Sequence, residues 1–96
     1  MNIEIVARDV EVTPEIQERL ERKLERILER RNKEQPVRVL LAESRGRFQA
    51  RISMHVFGKE IFGEAEEKNV IAAVDEACEK VDRQIGKIYQ RMTAKR

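Results

Sequence analysis

The sequence predicts one α+β domain in which two helices pack on one face of a four-stranded sheet. A chain of 96 residues is long enough for a single domain with one modest core. Apolar and polar residues alternate in four separate segments, which is the period of half-buried strands. In two other segments apolar residues recur every three to four positions, which is the period of amphipathic helices. The order is β-α-β-β-β-α, and both helices are expected to cover the apolar face of the sheet.

The first strand and the first helix are separated by a helix-start signal. Residues 2–8 alternate and form the predicted strand. Thr13 can cap the helix that follows, and Pro14 suits its first position because proline fixes a helical φ there. We expect this helix to run to about Arg31, since Pro36 disfavours helix in the residue before it.

Three further strands and a second helix follow. Strands are predicted over residues 37–43, 48–57 and 60–66, with a turn at Gly46 and a two-residue hairpin loop at Gly58-Lys59. We expect neighbouring strands to be antiparallel.

The last helix is predicted from Asn69 to about Met92, where the period returns to 3.6 residues. Only the final residues 93–96 are expected to be disordered. No run of about 20 apolar residues is present, so no segment is expected to span a membrane.

The overall charge of the chain does not by itself indicate a nucleic-acid partner. Lys and Arg number 20 and Asp and Glu number 18, which gives a net charge of +2. Charged residues nevertheless make up 40% of the chain, against about 25% in an average domain. A basic surface therefore requires that the two signs separate on the folded chain.

The signs do separate when the first helix is wound at about 100° per residue. The apolar stripe comprises Ile16, Leu20, Leu24, Ile27 and Leu28. The acidic stripe comprises Glu18, Glu21, Glu25 and Glu29. The basic stripe comprises Arg19, Arg22, Lys23, Arg26 and Arg30.

The second helix repeats this arrangement. Its apolar arc comprises Val70, Val74, Ala77, Cys78, Val81, Ile85, Ile88, Tyr89 and Met92. Its acidic flank comprises Asp75, Glu79 and Asp82, and its basic stripe comprises Lys80, Arg83, Lys87 and Arg91. One interpretation is that these stripes only solvate the helices. Another is that the helices run in the same direction, so that the basic flank of one meets the acidic flank of the other. The remaining cations are candidates for binding RNA phosphates.

No constellation of residues predicts catalysis, a cofactor or a metal site. His55 is the single histidine and lies at an outward strand position, where a surface role is expected. Cys78 lies on the core side of its helix and excludes an internal disulfide, since it is the one cysteine. Gly86 lies on the outer face of the last helix, either as a tolerated glycine or to allow a partner to approach closely.

Three stretches resemble the ribosome hibernation promoting factor family, also called ribosome-associated translation inhibitors: "DVEVT" at residues 9–13, "HVFGKEIFGEAE" at 55–66 and "NVIAAVDEACEKVDRQIGKIYQRM" at 69–92. The resemblance implies a fold like that of double-stranded-RNA-binding domains. It also implies a cytoplasmic protein that binds small-subunit rRNA between head and body. There it would occupy the places of mRNA and tRNA and preserve idle ribosomes under stress or in stationary phase. The family's basic helix residues correspond to Lys23, Arg26, Lys80, Arg83, Lys87 and Arg91.

The chain departs from the family pattern in three respects: two residues of the last helix, the acidic content, and an end soon after the last helix, without a long tail. Ile88 and Tyr89 stand where the family usually carries charges, and the acidic content is high for a ribosome binder. We expect a short form without the additional domain that pairs ribosomes. It should be monomeric off the ribosome and have neither a membrane nor a small-molecule partner. The alternative is a protein–protein module that self-associates through its acidic helix faces or its open sheet face, with Leu40, Phe57 and Phe62 on the latter.

Overall fold

The structure, a computed structural model, describes residues 2–28 and 36–94, with side chains to residue 91. The elements are β1 (Asn2–Arg8), α1 (Pro14–Leu28), β2 (Pro36–Ser44), β3 (Arg47–Val56), β4 (Lys59–Glu67) and α2 (Val70–Ala94). The predicted order of elements is confirmed. The predicted end of the first helix near Arg31 lies outside the described residues. Thr93 and Ala94, which were expected to be disordered, continue α2.

The four strands form one sheet in the order β1-β2-β3-β4. β2, β3 and β4 are antiparallel neighbours, whereas β1 and β2 are parallel. The expectation of antiparallel neighbours throughout was therefore wrong for this pair, because α1 serves as the crossover that a parallel connection needs. β1 and β4 still point the same way. The helices that follow them consequently run back across one face of the sheet in parallel.

The β3–β4 turn lies one residue earlier than predicted. Val56 pairs with Lys59, so the two turn residues are Phe57 and Gly58, with φ angles of 56° and 75°. Two positive φ angles are typical of the type I′ turn, whose twist matches that of the flanking strands. The β2–β3 turn at Arg45-Gly46 has the same character. Phe57 is thus a turn residue and not part of the sheet face.

Both helices begin at a side-chain cap. The Ile16 backbone N–H donates to Thr13 Oγ1 at 3.3 Å, which confirms the cap predicted for α1. At the start of α2, Asn69 Oδ1 accepts from the N–H groups of Ile71 and Ala72 at 2.7 and 3.2 Å. Each cap satisfies N–H groups that have no partner within the helix.

The core lies between the sheet and the two helices. Every residue of the predicted apolar stripe of α1 is buried, namely Ile16, Leu20, Leu24, Ile27 and Leu28. In α2 the prediction holds from Val74 to Ile85, but Val70 and Ile88 are only half-buried and Tyr89 is 51% exposed. The side chain of Met92 lies outside the described residues. Tyr89 was wrongly assigned to the core. Its ring lies 6.4 Å from that of Phe57, so α2 has reached the tip of the hairpin, where no strand remains to cover it.

The contact between α2 and β4 is very close at Gly63. A Cβ atom on Gly63 would lie 2.7 Å from the backbone oxygen of Ala77 and 3.0 Å from Cβ of Lys80. Only a residue without a side chain fits between strand and helix here. This close approach fixes the height of α2 above the sheet edge.

Candidate nucleic-acid interface

The seam between the helices is held by an ion pair from the basic flank of α1 to the acidic flank of α2. Arg19 donates from Nε and Nη2 to the two carboxylate oxygens of Asp75, at 2.7 and 2.8 Å. Lys23 Nζ lies 3.6 Å from the same carboxylate. Because Arg19 donates hydrogen bonds to it, the pKa of Asp75 lies below its usual value, and the pKa of Arg19 lies above its own. Part of the charge segregation therefore serves the contact between helices.

The next cations along the α1 stripe are in a different situation. Arg22 and Arg26 are exposed, and within residues 2–28 and 36–91 neither makes a hydrogen bond or an ion pair. Arg30, the last predicted member of the stripe, lies outside the described residues. Of the α1 stripe, Arg22 and Arg26 are thus available to an anion, whereas Arg19 and Lys23 already share a carboxylate.

Lys80, at the start of the α2 stripe, is also engaged. Its Nζ donates to the backbone oxygen of Glu64 at 2.7 Å and lies 3.4 Å from the carboxylate of Glu76. One turn later, Gln84 Nε2 donates to the backbone oxygen of Phe62 at 2.6 Å. Both acceptors face outward from β4, which is an edge strand. Lys80 and Gln84 therefore occupy carbonyl groups that would otherwise be free to pair with a strand of another chain.

The remaining cations of α2 form a free row, called here the α2 row: Arg83, Lys87 and Arg91. All of them are exposed, and none makes an ion pair or hydrogen bond within the described part of the chain. Residues four positions apart on a helix lie about 6 Å apart along its axis. Arg83 and Lys87 also line a shallow depression that continues onto Phe62 of β4. The α2 row is therefore a line of solvated positive charge on the β4 side of the molecule.

The opposite side of the molecule is acidic. Glu18, Glu21 and Glu25 of α1 line a groove together with Arg22 and with Ile3 of β1. This acidic groove meets β1 at Ile3, whereas Arg83 and Lys87 of the α2 row lie beside β4 at Phe62. A net charge of only +2 thus conceals two flanks of opposite sign. An extended anion has a reason to prefer the β4 side.

Apart from the Arg19–Asp75 pair, the shifted pKa values among the described residues belong to Cys78, Glu67 and Glu76. Burial raises the pKa of the Cys78 thiol to about 12, so it stays protonated and packs as a small apolar side chain. A hydrogen bond between Glu67 and Glu76 raises the pKa of Glu67 and lowers that of Glu76. Within the residues described, no three or more His, Cys, Asp or Glu side chains are arranged to hold a metal ion. Neither described helix is long and apolar enough to cross a membrane.

Some functional contacts were not assigned from the sequence. Asp75 was placed on the acidic flank, but its particular partner depends on the rotation of both helices. Gln84 carried no signal, because an amide on a helix flank has no pattern of its own. Gly63 did carry one, since a glycine inside a strand often marks a close backbone approach.

The fold and the α2 row describe a small α+β domain with an exposed line of cations along one helix. Residues 3–93 match the family model described as Sigma 54 modulation protein / S30EA ribosomal protein. The chain therefore belongs to this family, and its resemblance to the ribosome hibernation proteins is confirmed. No curated protein matches the chain.

Two solved structures share the fold. A ribosomal subunit interface protein from Coxiella burnetii superposes with a TM-score of 0.83 at 23% identity, covering 94% of this chain and 99% of the other. The N-terminal domain of Thermus thermophilus Protein Y superposes with a TM-score of 0.81 at 26% identity, covering 92% of this chain and 99% of the other. Both likenesses support the architecture of two helices on a four-stranded sheet.

Proposed function

We propose that this protein is a ribosome-binding translation inhibitor. It docks as a single domain on the rRNA of the small subunit, between head and body, and excludes mRNA and tRNA from their places. In this way it preserves inactive ribosomes under stress or in stationary phase, in the cytoplasm. Two findings support the proposal: membership of a family of ribosome-associated proteins and the charge arrangement of α2.

The single observation that carries the proposal is the α2 row. Its cations are exposed and have no partner among the described residues, so they can meet phosphates without first breaking an ion pair. Arg83 and Arg91 can each offer two parallel N–H donors to a phosphate, whereas Lys87 contributes a point charge. Such contacts read the backbone and shape of folded RNA rather than its base edges.

The predicted RNA-binding residues divide into two groups on this geometry. Arg22 and Arg26 are exposed cations like those of the α2 row, but Arg22 lines the acidic groove on the other side of the molecule, so Arg26 is expected to contribute more. Arg30 stays a prediction. Arg19, Lys23 and Lys80 are expected to contribute less to RNA affinity, because each is already held by a carboxylate or a carbonyl. Their proposed first role is to keep the two helices and β4 in place beneath the RNA.

The proposed mechanism is steric exclusion, in which no covalent bond is made or broken and no cofactor takes part. Affinity should come largely from the release of counterions when cations neutralise phosphates. Binding should accordingly weaken steeply as salt rises, by orders of magnitude between roughly 50 mM and 200 mM if several phosphates are contacted.

Co-sedimentation with purified small subunits tests the proposed surface. The variant Lys87→Glu/Arg91→Glu should lower the affinity about tenfold or more, since two attractive charges become repulsive. Arg8→Glu/Arg45→Glu is the matched control, because it changes the net charge equally at exposed positions that belong to neither helix. Unaltered pelleting of the α2 variant, or an equal loss in the control, would remove the α2 row from the proposal.

A self-associating module is the second candidate, and a specific observation supports it. Leu40 and Phe62 are 40% and 45% exposed on the open face of the sheet. The guanidinium of Arg51 lies 4.8 Å from the centre of the Phe62 ring, however, and shields part of it. Light scattering over a range of concentrations separates the candidates, because a tight dimer without ribosomes favours the module and a monomer favours the inhibitor.

A further inference from the structure

The two edges of the sheet are treated differently. The β4 edge is closed by Lys80 and Gln84, which donate to its outward carbonyls. β1 is the other edge, and it pairs only with β2. Within residues 2–28 and 36–94, no backbone group and no side chain donates to, or accepts from, the outward backbone of β1. The β1 edge is thus an open template for a further strand.

The ladder indicates which backbone groups of β1 are open. The outward carbonyls of β4 belong to Phe62 and Glu64, so the residues between and beside them bond to β3. Along each strand, successive residues bond alternately to the neighbouring strand on one side and on the other. Following this alternation from β4 through β3 and β2 to β1, by the register of the strand pairs, leaves the N–H and C=O groups of Ile3, Ile5 and Ala7 facing outward.

The acidic side chains beside the β1 edge indicate that an added strand should carry positive charge. The acidic groove reaches β1 at Ile3 and is otherwise lined by Glu18, Glu21 and Glu25, with Arg22 as the cation in its lining. None of the three glutamates forms an ion pair among the described residues. On the other face of the same strand, Glu4 pairs with Arg38 at 3.3 Å in an exposed position. A strand added at β1 would place alternate side chains over the glutamates.

We propose that the β1 edge binds an extended segment of a partner protein, rich in Lys or Arg, as a fifth strand of the sheet. Backbone hydrogen bonds to Ile3, Ile5 and Ala7 hold the segment, and its cationic side chains face Glu18, Glu21 and Glu25. A second copy of this chain is a poor occupant, because two-fold pairing of β1 edges brings two rows of glutamates together. The proposal gives the acidic stripe of α1 a role that RNA binding leaves unfilled.

Peptide binding tests this proposal without ribosomes or RNA. The probe is a labelled peptide of about ten residues in which lysine alternates with valine, and the reference peptide carries glutamate in place of lysine. Fluorescence anisotropy at low salt should give an affinity for the lysine peptide about tenfold or more above that for the glutamate peptide. On binding, the amides of Ile3, Ile5 and Ala7 should gain protection from hydrogen exchange.

The variant Ala7→Pro tests the backbone contacts. It removes an outward N–H that β2 does not use, and an edge strand tolerates proline at such a position. Affinity for the lysine peptide should fall about tenfold or more, whereas the control Ala7→Val, which keeps the N–H, should bind like the parent.

A second variant tests the charges and does not depend on how the strand tolerates proline. Glu18→Gln/Glu21→Gln/Glu25→Gln should abolish the preference for lysine over glutamate, whereas Glu79→Gln/Asp82→Asn on α2 should retain it. Equal binding of the two peptides to the parent overturns the proposal. Protection that maps outside β1, or β1 amides already protected by self-association, overturns it as well. Ribosome binding through the α2 row is measured separately and can fail or succeed independently.

Discussion

Two glycine-to-alanine substitutions, one in β4 against α2 and one within α2, should change the stability of the protein in opposite directions. In Gly63→Ala the new Cβ would meet the backbone oxygen of Ala77 at 2.7 Å, whereas ordinary contact begins at 3.4 Å. The strand and the helix must then separate by about 0.7 Å, because neither atom belongs to a flexible side chain. In Gly86→Ala the new Cβ meets nothing within 4 Å.

The expected free energies follow from these contacts. Overpacking of a tight interior typically costs about 1–3 kcal/mol, and replacing glycine by alanine returns about 0.5–1 kcal/mol through the unfolded chain. The difference lies between about 0 and 2.5 kcal/mol, and its midpoint gives a destabilisation of about 1 kcal/mol for Gly63→Ala. Gly86→Ala should be stabilised by about 0.5–1 kcal/mol, since alanine is the better helix former.

Urea denaturation followed by circular dichroism measures both effects under the same conditions. For a domain of this size, each kcal/mol also moves the melting temperature by roughly 4–8 °C. A Gly63→Ala protein as stable as the parent would refute the close approach of α2 to β4. A Gly86→Ala protein with lowered stability would refute the open environment of that position. Ribosome binding by Gly86→Ala also decides whether Gly86 serves a partner's approach, because only then should affinity fall.

The other predictions concern the seam and the core. Asp75→Asn should lower the urea midpoint, because the carboxylate that holds Arg19 and Lys23 is lost. The pKa of Asp75 is depressed in the folded state, so its contribution to stability is present above the unfolded pKa of about 3.9 and is lost as pH falls through the lower folded value. Unfolding curves between roughly pH 2 and 6 should consequently be less pH-dependent for Asp75→Asn, and equal slopes contradict the pairing. Cys78 has a pKa of about 12 and is 3% exposed. In the native protein it should react with a thiol reagent about a hundredfold or more slowly than it does in the denatured protein. Fast labelling of the native protein would contradict its burial.

The sequence was sufficient for the features that depend on local periodicity. The order of strands and helices, the apolar stripe of α1 and the cap at Thr13 were all predicted correctly, because each is encoded within a few neighbouring residues. The separation of charges into stripes was also readable, since winding a helix needs only its own residues. Even the meeting of opposite flanks followed from the parallel direction of the two helices.

The features that were missed depend on how elements meet. Tyr89 has the periodicity of a core residue, but the sheet ends before α2 does. Phe57 occupies a turn position with positive φ, where asparagine or glycine is the usual residue, so the turn was predicted one residue late. In the sequence, Lys80 has the position of one more cation in the basic stripe of α2. Only the structure shows that its Nζ donates a hydrogen bond to a backbone carbonyl of β4. Such assignments need the distances between elements, which no local pattern contains.

The salt dependence of binding to purified small subunits tests the central claim, that the α2 row meets RNA phosphates while Arg19 and Lys23, which share the Asp75 carboxylate, contribute less. Single substitutions to glutamine at Arg83, Lys87 and Arg91 should each reduce the slope of log affinity against log salt by about one, since each removes one phosphate contact. Lys23→Gln should leave that slope as it is in the parent, because Lys23 lies against Asp75. Unchanged slopes for the α2 row, or an equal reduction for Lys23→Gln, would contradict the account.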